Sequence, residues 1–560
     1  MELAKINIYS VSSGYLRFIP VTLFLLSFLL ISCADQKVPD KQRAYLTPET
    51  LCGTVQFSDG CSPKLDTLIA FGIALIHHMT YEDAEYTFNQ VLDLGKDCFW
   101  GYWGIAMTFI HPLWPDVPDS ALLEKGYLVS QNALSLAKTK KEKLYGAALA
   151  SFYEDGLNKS KQARLEAFKN GWMTAREELP EDIEARMFSV LTMLATVSPY
   201  DKSYKVQREA GETAEKVLDI IPDHPAGFHY AIHAYDVPLL SGNAIRVAKN
   251  YYKIAPELPH ALHMPTHIFT RLGYWDESIE LNSRSAVAAL KYPVGDQISG
   301  HYFHALDYLA YAYLQISELE KAKNIVAILD TLGGTYQPVA ATAYCLAAVP
   351  GRVLLEEQMW SEAANLSLNN QSNFPWNKFP QYEALIYYAK GIGAGRSGNI
   401  AIAQQSYQKL EELQKTFKDS ESNKYWINQI EMQKKVVKAW ELFAQNEMEK
   451  SLMMMISAAD LEDASEKNPV TPGQLLPARE MLGDLLLEMN KPKEALKQYE
   501  LTLEINPNRL NALYGAGKSA ELIGDKEKAV FYFTALLKNK KSTEPNNERI
   551  AHAVEVKTKI

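Results

Sequence analysis

Met481-Leu-Gly-Asp-Leu-Leu-Leu-Glu-Met-Asn-Lys-Pro-Lys-Glu-Ala-Leu-Lys-Gln-Tyr-Glu500 is answered, one period later, by Gly515-Ala-Gly-Lys-Ser-Ala-Glu-Leu-Ile-Gly-Asp-Lys-Glu-Lys-Ala-Val-Phe-Tyr-Phe-Thr534. Gly483, Leu486, Ala495 and Tyr499 align with Gly517, Ala520, Ala529 and Phe533, and Pro507 with Lys541, the last pair alone breaking the pattern. A small residue lets two helices approach, an alanine fixes where they cross and an aromatic ring fills the gap. A proline then ends the second helix. The same register returns at Gly72, Ala84 and Phe88, at Gly391, Ala403 and Tyr407, and around Gly351 and Ala363. From about Leu65 to Lys541 helical patterns alternate with short breakers, and no convincing period-two strand appears. The expected fold is all-α, a right-handed α-solenoid of stacked helix pairs.

These residues resemble the tetratricopeptide repeat (TPR) family, whose unit is a helix pair of roughly 34 residues. The likeness covers most of the chain, although 133–224 and 418–475 are helical in pattern without clear register. A narrower resemblance links Tyr102-Trp-Gly-Ile-Ala106 and His263-Met-Pro-Thr-His-Ile-Phe269 to a group of bacterial TPR lipoproteins, and it brings no activity with it.

Against this register the histidines stand out. His229 and His233 recur one period on as His263 and His267, and a third helical stretch carries His301, His304 and Asp307 at steps of three. A step of four, or of three, keeps side chains on one helical face. Matched registers on successive stacked helices should then bring these rings together. His229, His233, His263 and His267, joined by His304 and Asp307, form a candidate site for zinc or another transition metal, with Asp236 as a supporting partner. Pro265 should kink the turn between His263 and His267, moving their rings apart or together. The alternative is that these imidazoles hydrogen-bond neighbouring backbone and tyrosines, or serve peptide recognition. His77 and His111 also stand one period apart, but His111 lies before Pro112 among Trp100, Trp103 and Trp114, which suits aromatic packing.

In the C-terminal repeats the groove-facing register holds Glu480, Asp484 and Glu488, then Tyr514, Lys518 and Glu521. Such a mostly acidic groove suits a basic or neutral peptide. Gly393-Ala-Gly-Arg-Ser-Gly398 has the spacing of a dinucleotide loop, yet it follows a helical stretch rather than a strand, so repeat packing explains it better.

Residues 1–32 read as a signal peptide. Lys5 and Arg17 precede a largely apolar run from Phe18 to Ile31, too short for a membrane span. Leu30-Ile-Ser-Cys33 resembles a bacterial lipobox, which implies lipid on Cys33, and Ala34 after it favours the outer membrane of the cell envelope. Removing Glu2, Lys5 and Arg17 with the leader leaves 55 basic and 66 acidic residues. With no basic stripe, nucleic acid is not an expected partner. Cys52 and Cys61 flank a turn-rich loop and suit a local disulfide, whereas Cys98 and Cys345 lie in helical sequence as small buried residues.

The expected organisation is a signal peptide at 1–32, a lipid-anchored tether with its disulfide loop at 33–64 and a divergent solenoid at 65–460. A linker at 461–475, two well-matched repeats at 476–543 and a cap at 544–560 complete it. Two functions follow: an envelope-anchored scaffold that binds a protein or peptide, or a metal-binding protein, a metalloenzyme included. The anchoring expectation is checked by Cys33→Ser, which should abolish lipid labelling and release the protein from membranes. Unchanged membrane fractionation would remove the lipoprotein assignment.

Overall fold

The computed structural model describes residues 45–58, 62–368, 374–418, 420, 423–539 and 547–559. The leader, Cys33 and Cys61 lie outside them. Among the described residues no helix is long and apolar enough to cross a membrane.

From Pro63 to Lys559 the chain is a succession of antiparallel helix pairs, an all-α solenoid. Among the described residues the exception is a pair of short parallel strands, Gln297–Ile298 and Thr335–Tyr336, joined in register Gln297 to Thr335 and Ile298 to Tyr336. The stretch 133–224, where no register was legible, also forms helices: Lys140–Tyr153, Lys161–Glu178, Ile183–Ala195 and Lys205–Ile220.

The repeat register has a direct physical counterpart. A Cβ placed on Gly72, Gly483 or Gly517 would lie 2.6, 2.8 or 2.7 Å from the ring of Phe88, Tyr499 or Phe533 respectively. Each glycine thus receives the aromatic ring of the helix that follows its own. Ala84, Ala495 and Ala529 are fully buried at the crossings. The nucleotide-like glycine string lies at the end of the helix Pro380–Arg396, where Gly395 meets the backbone of Trp440, so it packs helices together.

The solenoid also touches itself across distant repeats. The helix Pro63–His77 packs against Pro225–Tyr235, and Gly300–Gln315 packs against Leu510–Leu522. At the second contact Arg509 is completely buried, paired with Glu480 at 2.6 Å and Glu356 at 2.7 Å, and Trp275 Nε1 donates to the Asn508 carbonyl at 3.1 Å. Residues after Asp463, expected as a linker, form a strap laid across the helices of the middle repeats. The Glu466 amide donates to the Pro199 carbonyl at 2.8 Å, and the Glu466 carboxylate accepts from Lys202 and Tyr204. Further on, Thr471 meets the Tyr344 hydroxyl at 2.6 Å, and Arg352 donates to the Gln474 and Gly473 carbonyls.

The tether reading also needs correction for 45–58. Leu46, Cys52 and Phe57 are buried against the body, and Thr54 bonds Asp223 at 2.7 Å. Apolar side chains every few residues pull this stretch onto the repeats. Cys52 and Cys345 are buried free thiols, and Cys98 is buried as well. The final helix Glu548–Lys559 buries Ile550, Ala553 and Val556 and covers the last repeat.

The packing predicts that Ala495→Leu and Ala529→Leu each overfill a helix crossing and cost about 1–3 kcal/mol. Denaturant midpoints equal to wild type in both variants would show that these alanines do not set the crossings.

Candidate metal centre

Three helical segments supply the site. Pro225–Tyr235 starts with proline at its first position, where the missing N–H costs nothing, and places His229 and His233 one turn apart. Pro259–His263 and Pro265–Leu272 form one kinked rod joined through Met264 in helical conformation, presenting His260, His263 and His267. Gly300–Gln315, capped by Ser299, presents His301 and His304. Gly273 closes the kinked rod in a left-handed conformation at φ 68°.

Six imidazoles converge as two triads, His229 with His233 and His260, and His263 with His267 and His304, the ligand nitrogens within each lying within 4.8 Å of one another. The triads abut: the rings of His233 and His267 are 6.2 Å apart between centroids, and those of His260 and His263 are 6.3 Å apart. All four histidines of the duplicated register therefore take part, together with His304. Across the break at Met264, the rings of His263 and His267 lie 4.9 Å apart between centroids.

Asp307 does not join them. Its carboxylate turns to the buried guanidinium of Arg352 at 3.7 Å, and burial pushes its pKa up to about 7. The sixth converging imidazole is His260, off the repeat register. Its signal was nevertheless present, because 260, 263 and 267 follow the i, i+3, i+7 stripe of one helical face.

The ring orientations are fixed from behind. His229 Nδ1 bonds the backbone carbonyl of His77, which can only accept. His267 Nδ1 bonds Asp236 Oδ2 at 2.9 Å, and Asp236 is kept ionised by Lys467, 3.6 Å away, and by Arg271 at 2.8 Å. His263 Nδ1 bonds Asn282 Oδ1 at 2.7 Å, and the orientation of that amide is set because Asn282 Nδ2 donates to the Ser278 carbonyl at 2.9 Å. Each of these three rings carries its proton on Nδ1, so its Nε2 presents a lone pair. His263 Nε2 and His267 Nε2 nevertheless face each other at 3.0 Å. His229 Nε2 lies 3.1 Å from both His233 Nε2 and His260 Nε2.

Two lone pairs at that distance repel unless a cation lies between them. A proton is disfavoured there: burial and neighbouring imidazoles hold His229, His260, His263 and His304 well below the usual histidine range, and His233 at about 3. A metal ion satisfies both nitrogens. With bonds of 2.0–2.1 Å, the nitrogen-to-nitrogen edge of a tetrahedral site is about 3.3 Å.

A third group, His77, Glu184 and His224, lies directly behind the first triad. Glu184 accepts from His77 Nε2 at 2.6 Å and His224 Nε2 at 2.9 Å, and these donors hold it ionised. The Tyr230 hydroxyl then donates to His77 Nδ1 at 2.8 Å. With its carboxylate engaged by two imidazole N–H groups, this cluster supports His229 through the His77 carbonyl. His111, by contrast, stacks on Tyr81 at 4.2 Å and touches Trp114, as aromatic packing requires. His224, Glu184, Asn282 and Lys467 carry no periodic signal in the sequence: His224 caps the helix of His229, Asn282 lies on the helix after His267, and Glu184 and Lys467 come from an earlier helix and from the strap.

The acidic residues expected to line a peptide groove are largely engaged within the fold. Glu480 is buried on Arg509, Asp484 accepts from Tyr499 at 2.6 Å, and Glu488 meets Arg396 at 3.2 Å. Lys518 pairs with Glu521 at 2.9 Å, and Tyr514 packs against Phe533 and His552. Glu480 is thus not presented to a ligand, because Arg509 needs its charge inside the protein.

The architecture defines the class of protein as a helical-repeat solenoid with a buried polyhistidine centre. No family model matches the chain, and no curated protein matches it. Among solved structures it is similar to yeast Tom70, at 12% identity and TM-score 0.33 over 89% of this chain and 96% of that one. It is also similar to the human IFIT1 dimer with m7Gppp-AAAA, at 13% identity and TM-score 0.37 over 75% and 86%. A tetratricopeptide repeat protein from Parabacteroides merdae is similar at 14% identity and TM-score 0.25, over 63% and 98%.

The buried neutral histidines make stability depend on pH. Unfolded histidine titrates near 6.5, whereas in the fold His78 is pushed down to about 4 and His233 to about 3. Below about pH 6.5 the unfolded chain therefore takes up protons that the folded chain does not, and stability is lost as pH falls toward these values. The metal-free protein should melt about 5–10 °C lower at pH 5 than at pH 7. A melting temperature independent of pH across that window would show that these rings are not buried in neutral form.

Proposed function

We propose that this chain is a metal-binding protein whose centre lies between the two histidine triads. The observation that carries the reading is the meeting of His263 Nε2 and His267 Nε2 at 3.0 Å, with both Nδ1 atoms committed to Asn282 and Asp236. Hydrogen bonding among the rings alone does not account for that pair, because neither nitrogen has a proton to offer. A carboxylate or amide behind a ligating imidazole also raises its basicity and fixes its direction. Zinc and other transition metals that accept imidazole fit this donor set.

In this reading the solenoid serves as a rigid frame that brings distant histidines together. The peptide-scaffold reading rests on the repeat architecture alone, since the acidic register meant for a ligand is engaged internally. Attachment to the bacterial envelope through Cys33 belongs to the same proposal and places the centre outside the reducing cytoplasm.

Elemental analysis of protein purified without chelators should find a transition metal in stoichiometric amount. The His263→Ala, His267→Ala double variant should lose at least half of it while keeping the helical circular dichroism of wild type. Wild-type protein that neither carries such a metal nor takes one up after dialysis would overturn the proposal.

A further inference from the structure

The donor set is unusual in its charge. Six imidazoles supply no negative charge, and among the described residues no carboxylate or thiolate stands with the converging ligand atoms of the two triads. Of the acids around the triads, Asp236 is matched by Arg271 and Lys467, Asp307 by Arg352 and Glu184 by two imidazole N–H groups, while Glu82 and Asp116 lie on the wall of the adjoining cavity. Two divalent ions here would be buried with only neutral donors to coordinate them. Charging energy grows as the square of charge, so two monovalent ions cost about a quarter as much.

The coordination number points the same way. Each triad offers three nitrogens, too few for a structural zinc site closed by four protein ligands, although a catalytic zinc takes three and keeps a fourth position open. Copper in its monovalent state accepts imidazole and is satisfied by three donors. Met264, fully buried between His263 and Pro265, places a soft thioether on the same wall.

Both triads also open on one cavity of about 70 Å³. His233 and His260 of the first and His267 and His304 of the second line it, facing a largely apolar wall that includes Trp114 and Val470 and also carries Glu82 and Asp116. A small molecule in that cavity reaches both triads at once. Apolar walls favour an apolar guest, and dioxygen is one.

Resting on the metal-binding reading above, we infer that the two triads hold a copper pair, monovalent when reduced, that binds and reduces dioxygen between its two ions. Each copper gives up one electron, and dioxygen takes both to become a bridging peroxide dianion. No proton and no outside reductant enters this step. The pair rises from two to four positive charges while the ligand brings two negative ones, so the centre keeps the same net charge. A neutral donor set can support the oxidised state on that condition, because the guest itself supplies the compensating anion.

The test uses the full mature chain, stripped of metal by chelator and reloaded anaerobically with a monovalent copper salt. About two coppers should bind per chain, and admission of air should consume about one dioxygen per copper pair. The oxidised copper should give an intense near-ultraviolet band and no paramagnetic resonance signal, because the two unpaired spins couple. His233→Ala and His304→Ala, one from each triad, should each lower bound copper by about half and abolish dioxygen uptake, with circular dichroism unchanged. Copper bound without dioxygen uptake, or with the resonance of isolated divalent ions, would overturn the paired-copper inference and leave the metal-binding reading intact. Stoichiometric zinc that copper fails to displace would do the same. A wild-type chain that binds no metal at all would overturn both.

Discussion

Everything in this molecule depends on the close approach of glycine and aromatic ring that sets helix against helix. Where Gly72 receives Phe88, or Gly483 receives Tyr499, the contact leaves no room for a side-chain carbon. That fixes the spacing of each helix pair, and the period of the pairs fixes which residues become neighbours. Residues one period apart fall on adjacent helices of the stack. His233 and His267 come within 6.2 Å between ring centroids for that reason, and His229 lies against His260 at the start of the next histidine helix. Repeat proteins use this property to build long surfaces, and here it draws donors toward a point.

Holding such rings inside a protein is costly, since each buried polar atom must find a partner. For three of the six rings the fold answers from the rear with an acceptor: the His77 carbonyl for His229, the Asn282 amide for His263 and the Asp236 carboxylate for His267. These acceptors themselves are held, Asn282 by Ser278, Asp236 by Arg271, and the His77 backbone in the network of Glu184 and Tyr230. Side chains packed this way have little freedom to turn, so the front nitrogens are presented in a fixed geometry.

The sequence made much of this legible, because the relevant signals are periodic. The solenoid could be read from Gly483, Ala495 and Tyr499 and their counterparts, and four of the six converging histidines from one duplicated pair. His304 followed from its step of three from His301. His260 escaped because its offset from His229 falls short of the repeat period, although its stripe with His263 and His267 was local. Asp307 was assigned by the same face rule and failed because Arg352, on a later helix, captures it. Glu480 failed likewise to Arg509. Long-range charge pairing leaves no periodic trace, and neither does a strap: the stretch 464–477, rich in proline and polar side chains, has the composition of a linker and the contacts of a structural element.

That strap changes how the molecule should come apart. An ordinary solenoid is a stack in which end repeats fray without consequence for the middle, since each touches only its neighbours. Here Glu466 is fastened to Lys202 and Tyr204, Thr471 to Tyr344, and Arg509 to Tyr311 on a helix far earlier in the chain. The chain is tied into loops, and loops exchange gradual fraying for collective loss. The histidine centre also stays unfinished until the strap arrives. A chain emerging from the ribosome, or across a membrane, has every helix up to Asp463 in hand before the wall formed by Pro469 and Val470 exists. Assembly of the centre is therefore a late event in the life of the chain, timed by its own topology.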